Sequence, residues 1–271
     1  MPIKEASISP LDRGFLFADG VYEHIQIYEN KLFYPEKHLA RLKRNLNAIN
    51  IPALHSNAEW LTIFNTLIEK NHIDSGSNHI YLQVTRGADD HRAHVIPEKL
   101  TPTIFALTDI SYLTKSIEGL AKGSRAVTIE DARRRDCCVK AISLLPNILA
   151  RTYAVEHNAT ETIMLRDNLV TECASCNVFI VKNGIIMTPP LSSNILPGIT
   201  RELTLELAAK NSMPYKEQPI TKDELQNANE VWITSSSREI EPITTLDNKP
   251  VADGKAGPIW YKMITLYKDL Y

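Results

Sequence analysis

Hydrophobic and polar positions alternate over residues 21–27, which read Val-Tyr-Glu-His-Ile-Gln-Ile. This pattern predicts a β-strand, because successive side chains of a strand point to opposite faces. One face is apolar. The other carries Tyr22, His24 and Gln26, and three polar residues on one strand face indicate contact with solvent more often than a pocket.

Apolar residues then recur at helical spacing in two segments, Leu39 to Ile49 and Leu61 to Ile68. They predict two helices with one apolar face each. Strands are predicted at 80–86 and 103–107. Residues 1–115 are therefore expected to form a small α/β domain in which two helices cover one sheet face.

The second half of the chain is richer in predicted strands. Apolar runs at 178–181 and 185–188 flank Lys-Asn-Gly, a strong hairpin signal. A further strand is predicted at 230–235, and helices at 200–211 and 258–270, the last beginning with proline. A polar stretch at 111–124 with two glycines is the best linker candidate. We predict a linker at 116–123 and a larger domain at 124–271.

Composition narrows the class of protein. The chain has 271 residues, 44% of them hydrophobic, which is ordinary for a globular protein and high for a disordered one. Thirty basic and 32 acidic residues leave a net charge of −2, so no partner among nucleic acids is expected. No segment has the apolar length of a membrane span or a signal peptide, so no membrane partner and a cytoplasmic location are expected.

Four cysteines allow two interpretations. Cys137 and Cys138 are adjacent, and Cys173 and Cys176 form a C-x-x-C pair. In a reducing cytosol they are most simply free thiols. A zinc or redox protein built on all four is the alternative, but the adjacent pair lacks the spacing of zinc ligands, so no metal is predicted.

Lys140 is the most informative residue, because its neighbours in the sequence are apolar. Residues 137–145 read Cys-Cys-Val-Lys-Ala-Ile-Ser-Leu-Leu. Burying an ammonium without a partner is costly, and burial lowers the pKa of the amine. Such a lysine is suited to Schiff-base chemistry. The alternative is a lysine whose ammonium reaches water past an apolar strand face.

Two further segments contain candidate chemistry. Residues 196–202 predict a turn into a helix, where Gly198 allows close approach and the N–H groups of Ile199 and Thr200 favour phosphate. Thr200 is alternatively a simple helix cap. Glu172, near a strand end, either pairs with a protonated ring nitrogen or lies exposed at a turn.

Charged residues cluster in two places. Arg92 and His94 lie two apart in the loop 86–94, so in an extended loop both could bind a carboxylate, although such clusters are more often solvated. The run Arg133-Arg-Arg135 has an acidic residue on each side and is too short to indicate nucleic-acid binding.

Five motifs follow one another along the chain. They are Asp12-Arg-Gly-Phe-Leu-Phe-Ala-Asp-Gly-Val-Tyr-Glu23, His38-Leu-Ala-Arg41-Leu42, Val139-Lys140 with Leu144-Leu-Pro-Asn147, Thr171-Glu172 with Ser175-Cys-Asn177, and Leu196-Pro-Gly-Ile-Thr-Arg201. Together they resemble the class IV pyridoxal-phosphate enzymes, a family of branched-chain aminotransferases, D-amino-acid aminotransferases and aminodeoxychorismate lyases. The resemblance covers nearly the whole chain.

The resemblance implies a fold and a cofactor, pyridoxal 5′-phosphate. The fold is type IV, α+β or mixed α/β, with a small N-terminal α/β lobe and a larger C-terminal β-barrel-like lobe that carries helices. Lys140 would hold the cofactor and move the Cα proton, and Glu172 would pair with the pyridine nitrogen. The phosphate would be bound by Arg41, by the N–H groups of Ile199 and Thr200, and by the hydroxyls of Thr200 and Ser236.

Within the family, Gln83-Val-Thr-Arg-Gly87 followed by Arg92-Ala-His94 resembles the D-amino-acid aminotransferase branch. There Arg92, His94 and Tyr22 would bind the substrate carboxylate, on a loop supplied by the neighbouring subunit of a homodimer. The implied reaction moves the amino group of a D-amino acid such as D-alanine or D-glutamate to a 2-oxo acid, by a ping-pong mechanism. Aminodeoxychorismate lyase and branched-chain L-amino-acid aminotransferase are the alternatives.

Some positions depart from the family pattern. Cys176 stands where serine is expected and Cys173 where glycine is common, so the hydrogen bonds at the cofactor's edge are expected to differ. The loop before Arg92 is one residue longer. Arg238 replaces a small residue, and we interpret it as either an ion-pair partner or a second anchor for acidic substrates.

Overall fold

The computed structural model describes residues 1–71, 78–109 and 115–271. They divide into two compact units. The first comprises Met1–Leu113 together with Val139–Leu144, and the second comprises Thr114–Cys138 together with Leu145–Tyr271. The predicted domain 124–271 therefore contains a segment, 139–144, that clusters with the first unit. Of the linker candidate 111–124, residues 111–114 lie outside the described residues.

The first unit is built on a four-stranded antiparallel sheet of order β2-β1-β3-β4. Its helices precede β1 and separate β2 from β3 along the chain. The elements are α1 (Arg13–Phe17), β1 (Gly20–Tyr28), β2 (Lys31–Leu32), α2 (Pro35–Ala48), α3 (Asn57–Lys70), β3 (Asn78–Thr85) and β4 (Thr103–Asp109).

One face of this sheet forms the core of the first unit. The alternating apolar residues of β1 pack in one cluster with the helically spaced residues of α2 and α3. A capping box joins Ser56 and Glu59 and fixes the start of α3. The predicted α/β arrangement of two helices over one sheet face is thus present. The core cluster contains Val21, Ile25, Ile27, Leu39, Leu42, Leu46, Trp60 and Phe64.

The segment Val139–Leu144 joins the first unit through β1. The amide of Tyr22 donates to the carbonyl of Lys140 at 3.0 Å, and the amide of Ile142 donates to the carbonyl of Gly20 at 3.1 Å. β2 pairs with the C-terminal end of β1, and the segment Val139–Leu144 lies beside the N-terminal end of the same strand. The backbone of Lys140 is thereby fixed against a strand.

The second unit contains a nine-stranded mixed sheet of order β10-β9-β8-β11-β12-β5-β6-β7, with β13 paired to β12. Three of its pairings, β10 with β9, β12 with β5 and β5 with β6, are parallel. The elements are α4 (Ile117–Ala121), β5 (Ser124–Glu130), α5 (Leu145–Glu156), β6 (Glu161–Arg166), β7 (Leu169–Cys173), β8 (Asn177–Lys182), β9 (Ile185–Thr188), α6 (Ile199–Lys210), β10 (Tyr215–Glu217), α7 (Lys222–Gln226), β11 (Glu230–Ser235), β12 (Glu239–Leu246), β13 (Lys249–Pro250) and α8 (Pro258–Lys268).

The predicted elements of this half are confirmed to within a few residues. The hairpin between β8 and β9 turns on Asn183 and Gly184, both of which have positive φ. α8 begins with Pro258, where the missing N–H removes no intrahelical bond. The predicted mixed fold, with strands and helices in both units, is therefore the observed one. None of the helices in the described ranges is long and apolar enough to cross a membrane.

Candidate active site

Lys140 lies over an aromatic ring of the first unit. Its Nζ is 4.2 Å from the centroid of the Tyr22 ring, and the side chain is half-buried. This contact is a cation–π interaction, which draws the ammonium to the sheet face that carries Tyr22. The amine of Lys140 therefore lies over the Tyr22 ring on one face of β1, and the chemical role of the lysine stays a prediction.

The polar face of β1 is not the solvent-facing surface that the alternation suggested. Gln26 is buried, and Tyr22 and His24 are half-buried. The physical reason is that β3 places large rings on the same face. Tyr81 lies 5.7 Å from Tyr22 between ring centroids, and His79 stacks on His24 at 4.0 Å.

Burial on this face also shifts the pKa values of two of its side chains, His24 and Tyr81. Burial, followed by the nearby His79 and Lys140, lowers the pKa of His24 well below its ordinary value, so this ring is neutral at pH 7. Burial and the neighbouring Tyr22 raise the pKa of Tyr81 to about 12. The sheet face over which the amine of Lys140 lies thus carries the rings of Tyr22, Tyr81 and His79 and the neutral imidazole of His24.

Arg41, predicted to bind phosphate, makes a buried ion pair on the opposite face of β1. Its Nε and Nη2 donate to the two carboxylate oxygens of Glu23 at 2.8 and 2.7 Å. His38 Nδ1 lies 2.9 Å from the same carboxylate. Burial alone would raise the pKa of Glu23, but Arg41 and His38 outweigh it and hold the pKa well below its usual range.

Sequence reasoning missed Glu23, although it stands within the apolar alternation of residues 21–27. An acidic residue at a core-facing position is itself the signal, since a buried carboxylate requires a partner. The pair fixes the guanidinium plane of Arg41. The role of Arg41 toward phosphate stays a prediction.

Arg92 and His94 lie on an exposed loop of the first unit, and both contact the same ring. The Arg92 guanidinium is 4.9 Å from the centroid of Phe17, and the His94 ring is 5.3 Å from it. The structure therefore brings these two predicted substrate ligands together. Tyr22, the third, contacts Lys140 instead.

Glu172 lies at the end of β7 in the second unit and is buried. It forms an ion pair with Arg133. Its other oxygen accepts hydrogen bonds from Asn177 Nδ2 at 3.1 Å and from the amide of Leu196 at 3.0 Å. These donors fix the orientation of the carboxylate. The alternative of a carboxylate exposed at a turn is wrong.

Arg133, the first residue of the run that is too short to indicate nucleic-acid binding, binds two carboxylates in the second unit. It donates to both oxygens of Asp131, each at 2.9 Å, besides pairing with Glu172. Burial alone would lower the pKa of this guanidinium, but the two carboxylates outweigh it and raise the pKa further. In the sequence, the feature that indicates an ion pair for Arg133 is Asp131, two residues before it.

The start of α6 offers backbone donors in a buried setting. Gly198 is the N-cap, and Ile199 and Thr200 are buried. Within the part of the chain that the structure describes, no side chain caps this helix, and Thr200 lies inside it and is therefore not the cap. A Cβ at Gly198 would lie 2.1 Å from Asn177 Oδ1, so the close approach of the Asn177 side chain to this helix start requires a glycine. An uncapped helix start suits an anion.

Ser236 stands two residues after a strand residue that pairs with Asn177. It follows β11, in which Thr234 pairs with Asn177 of β8. Asn177 in turn lies beside Gly198. Asn177 therefore links the start of α6 to the strand that precedes Ser236, and the role of Ser236 toward phosphate stays a prediction.

Comparison with known proteins identifies the family. The family model described as amino-transferase class IV matches residues 20–246, most of the chain. The chain belongs to the class IV aminotransferase family. The predicted family, its fold and enzymatic activity are thus confirmed.

Other class IV aminotransferases show how far the likeness extends. D-alanine aminotransferase of Staphylococcus aureus (strain COL) is 41% identical over 256 residues, 94% of this chain and 89% of that protein. Branched-chain amino acid aminotransferase of Escherichia coli has the same fold, with a TM-score of 0.93 and 24% identity over 100% of this chain and 91% of that one. The branched-chain enzyme of T.th., solved with pyridoxamine 5′-phosphate, gives a TM-score of 0.91 at 23% identity, over 99% of this chain and 90% of that one.

Class IV aminotransferases use pyridoxal phosphate, and the donor set of this chain fits that group. The uncapped, buried start of α6 suits its phosphate. Glu172 offers a buried and oriented carboxylate, which is an acceptor suited to a protonated ring nitrogen. Lys140 supplies an amine on a half-buried side chain.

The cysteines of this class IV aminotransferase are all free. Burial raises the pKa of Cys173, and that of Cys176 well above its usual value, which disfavours thiolate chemistry. Cys176 Sγ lies 3.4 Å from Glu161, so it makes a contact that serine could also make. Among the described residues, no cluster of histidine, cysteine and acidic side chains has the form of a metal site.

Arg238 forms an ion pair within the second unit. Its Nη1 is 2.9 Å from Glu241, and its Nη2 donates to the carbonyl of Thr160 at 3.2 Å. These bonds favour the ion-pair interpretation over that of a second substrate anchor.

Proposed function

We propose that this class IV aminotransferase moves the amino group of a D-amino acid, of the D-alanine or D-glutamate type, to a 2-oxo acid. The observation that carries the proposal is the similarity to D-alanine aminotransferases along 94% of the chain. The loop with Arg92 and His94 supports it, because the two side chains share one ring contact and offer a cation and an imidazole to a carboxylate.

Pyridoxal phosphate is the proposed cofactor. When bound, it supplies an electron sink for the charge that develops at the substrate Cα. The residues proposed to hold it are Lys140 and Glu172, with Arg41, Ile199, Thr200 and Ser236 at the phosphate.

The chain's own residues have separate tasks in this proposal. Lys140 Nζ would accept and hold the proton removed from the substrate Cα. The Tyr22 ring beneath Nζ orients the amine. Arg133 and Asn177 hold the Glu172 carboxylate in one orientation, in which it would accept from a protonated ring nitrogen. Arg92, His94 and Tyr22 bind the substrate carboxylate.

A substrate screen tests the proposal. The purified holoenzyme is incubated with D-alanine, L-leucine or 4-amino-4-deoxychorismate, each with 2-oxoglutarate, and with D-glutamate together with pyruvate, because D-glutamate itself yields 2-oxoglutarate. Consumption of the added oxo acid is measured. We expect consumption with the D-amino acids. Consumption with L-leucine alone would indicate a branched-chain aminotransferase, and pyruvate release from aminodeoxychorismate without loss of 2-oxoglutarate would indicate the lyase.

We also propose a homodimer and a cytoplasmic location. In the dimer, the loop with Arg92 and His94 would serve the neighbouring subunit. The four free cysteines suit a reducing compartment. Cell fractionation with an antibody to the protein tests the location, and recovery in the membrane or external fraction would contradict it.

A further inference from the structure

The short helix α1 is fastened to the sheet of the first unit. Asp12 caps it by accepting from the amide of Gly14 at 2.8 Å. The other oxygen of Asp12 accepts from the hydroxyls of Thr85 at 3.0 Å and Thr103 at 2.6 Å, on β3 and β4. Asp19, just after α1, binds Arg86 through two hydrogen bonds. α1 is therefore a fixed element.

From α1, Arg13 reaches the backbone of the loop that carries Arg92 and His94. Its Nη1 donates to the carbonyl of Ala93 at 2.7 Å, and its Nη2 to the carbonyl of His94 at 3.3 Å. The Arg13 side chain is buried and held by Asp19 at 3.0 Å. The loop backbone between the two exposed side chains is thus tied to a rigid guanidinium.

Phe17, one turn along α1, contacts the side chains themselves. Its ring lies 4.9 Å from the guanidinium of Arg13 and 4.9 Å from that of Arg92. The His94 ring is 5.3 Å away. A planar guanidinium over a ring has few orientations, so this contact limits the rotamers of Arg92.

We propose that Arg13 and Phe17 are positioning residues that pre-organise Arg92 and His94 for the substrate carboxylate. The inference rests on the proposed function of that pair. Without the contacts from Arg13 and Phe17, the exposed side chain of Arg92 would lose its conformational freedom only when the substrate binds. That loss would weaken the affinity for the substrate carboxylate. The effect belongs to carboxylate binding and not to the proton transfer at Lys140.

The test compares holoenzyme variants at one aromatic position with a matched control. Phe17→Leu removes the ring, and Phe17→Tyr keeps it. Phe15→Leu makes the same change two residues away, where the side chain is 76% exposed. For each variant, kcat and KM for D-alanine are measured, together with the inhibition constant of propionate, which is D-alanine without its amino group.

For F17L we expect KM for D-alanine and the inhibition constant of propionate to rise together by about five- to tenfold, with kcat within about twofold of wild type. F17Y and F15L should keep both constants near the wild-type values. The parallel rise separates a lost carboxylate contact from a general loss of structure, which would lower kcat and the melting temperature.

Arg13→Lys is the second variant, and it keeps a charge beside Asp19 while weakening the bonds to the loop carbonyls. R13K should raise both the KM for D-alanine and the inhibition constant of propionate. Unchanged constants in F17L and R13K, with active wild type, would overturn this inference alone. If wild-type enzyme transaminates no D-amino acid, the proposed function fails and the inference fails with it.

Discussion

At the scale of single residues, Lys140 carries the most direct prediction. Replacing it with alanine should lower transamination at least about a hundredfold, because the amine proposed to move the Cα proton is lost. Borohydride treatment should fix the cofactor covalently to wild-type protein and not to K140A, and peptide mapping locates the label. Lys122→Ala, at an exposed position, is the control. Labelling of another lysine in wild type would contradict the assignment.

Glu23 gives a prediction about stability. Glu23→Gln leaves Arg41 buried with a neutral partner, so we expect the free energy of unfolding at pH 7 to fall by about 3–5 kcal/mol. Urea denaturation at fixed protein concentration measures it. Glu36→Gln, exposed on the same helix as Arg41, should show no comparable loss.

The same pair predicts a pH dependence. The pKa of Glu23 is lowered in the folded state, so its contribution is present above the unfolded value of about 4.5 and is lost as the pH falls further. The difference between wild type and E23Q should therefore shrink below about pH 4.5. An equal difference at pH 7 and pH 4 would show that the carboxylate is not the source.

At the scale of elements, the start of α6 is the most sensitive point. Gly198→Ala places a Cβ 2.1 Å from Asn177 Oδ1, and Asn177 also binds Glu172. We expect at least about tenfold weaker cofactor binding, because both the helix start and the carboxylate shift. Titration of the apoenzyme with pyridoxal phosphate, followed by absorbance, measures it.

Gly119→Ala, in helix α4, is the matched control for G198A. A Cβ there would meet its nearest atom at 3.4 Å, a distance that small adjustments accommodate. Cofactor affinity should be unchanged in G119A. Equal affinity in G198A and wild type would contradict the proposed role of this helix start.

The elements also show what the sequence could and could not predict. The strand at 21–27 and the hairpin at Asn183 and Gly184 follow from local rules of alternation and turn geometry. The association of residues 139–144 with β1 does not, because it depends on a backbone pairing between segments far apart in the chain. The partners of Glu23 and Glu172 were missed for the same reason, since Arg41 and Arg133 are distant in sequence.

At the scale of the whole molecule, net charge does not reveal the groups proposed to bind anions. The total of −2 is nearly neutral. Yet the first unit carries Arg92 and His94 on an exposed loop, and the second unit carries an uncapped helix start. Small anionic substrates are recognised by such local groups, so bulk charge excludes only extended polyanions.

The proposed homodimer predicts complementation between two inactive variants. In a mixed dimer of K140A and Arg92→Ala chains, a loop that serves the neighbouring subunit restores one complete site, made of the intact lysine of one chain and the intact Arg92 of the other. Such mixed dimers should regain about half of the wild-type activity at low D-alanine concentration. If the loop serves its own chain, no site is complete and mixing restores nothing. Elution of the wild-type protein as a monomer in size-exclusion chromatography would contradict the homodimer directly.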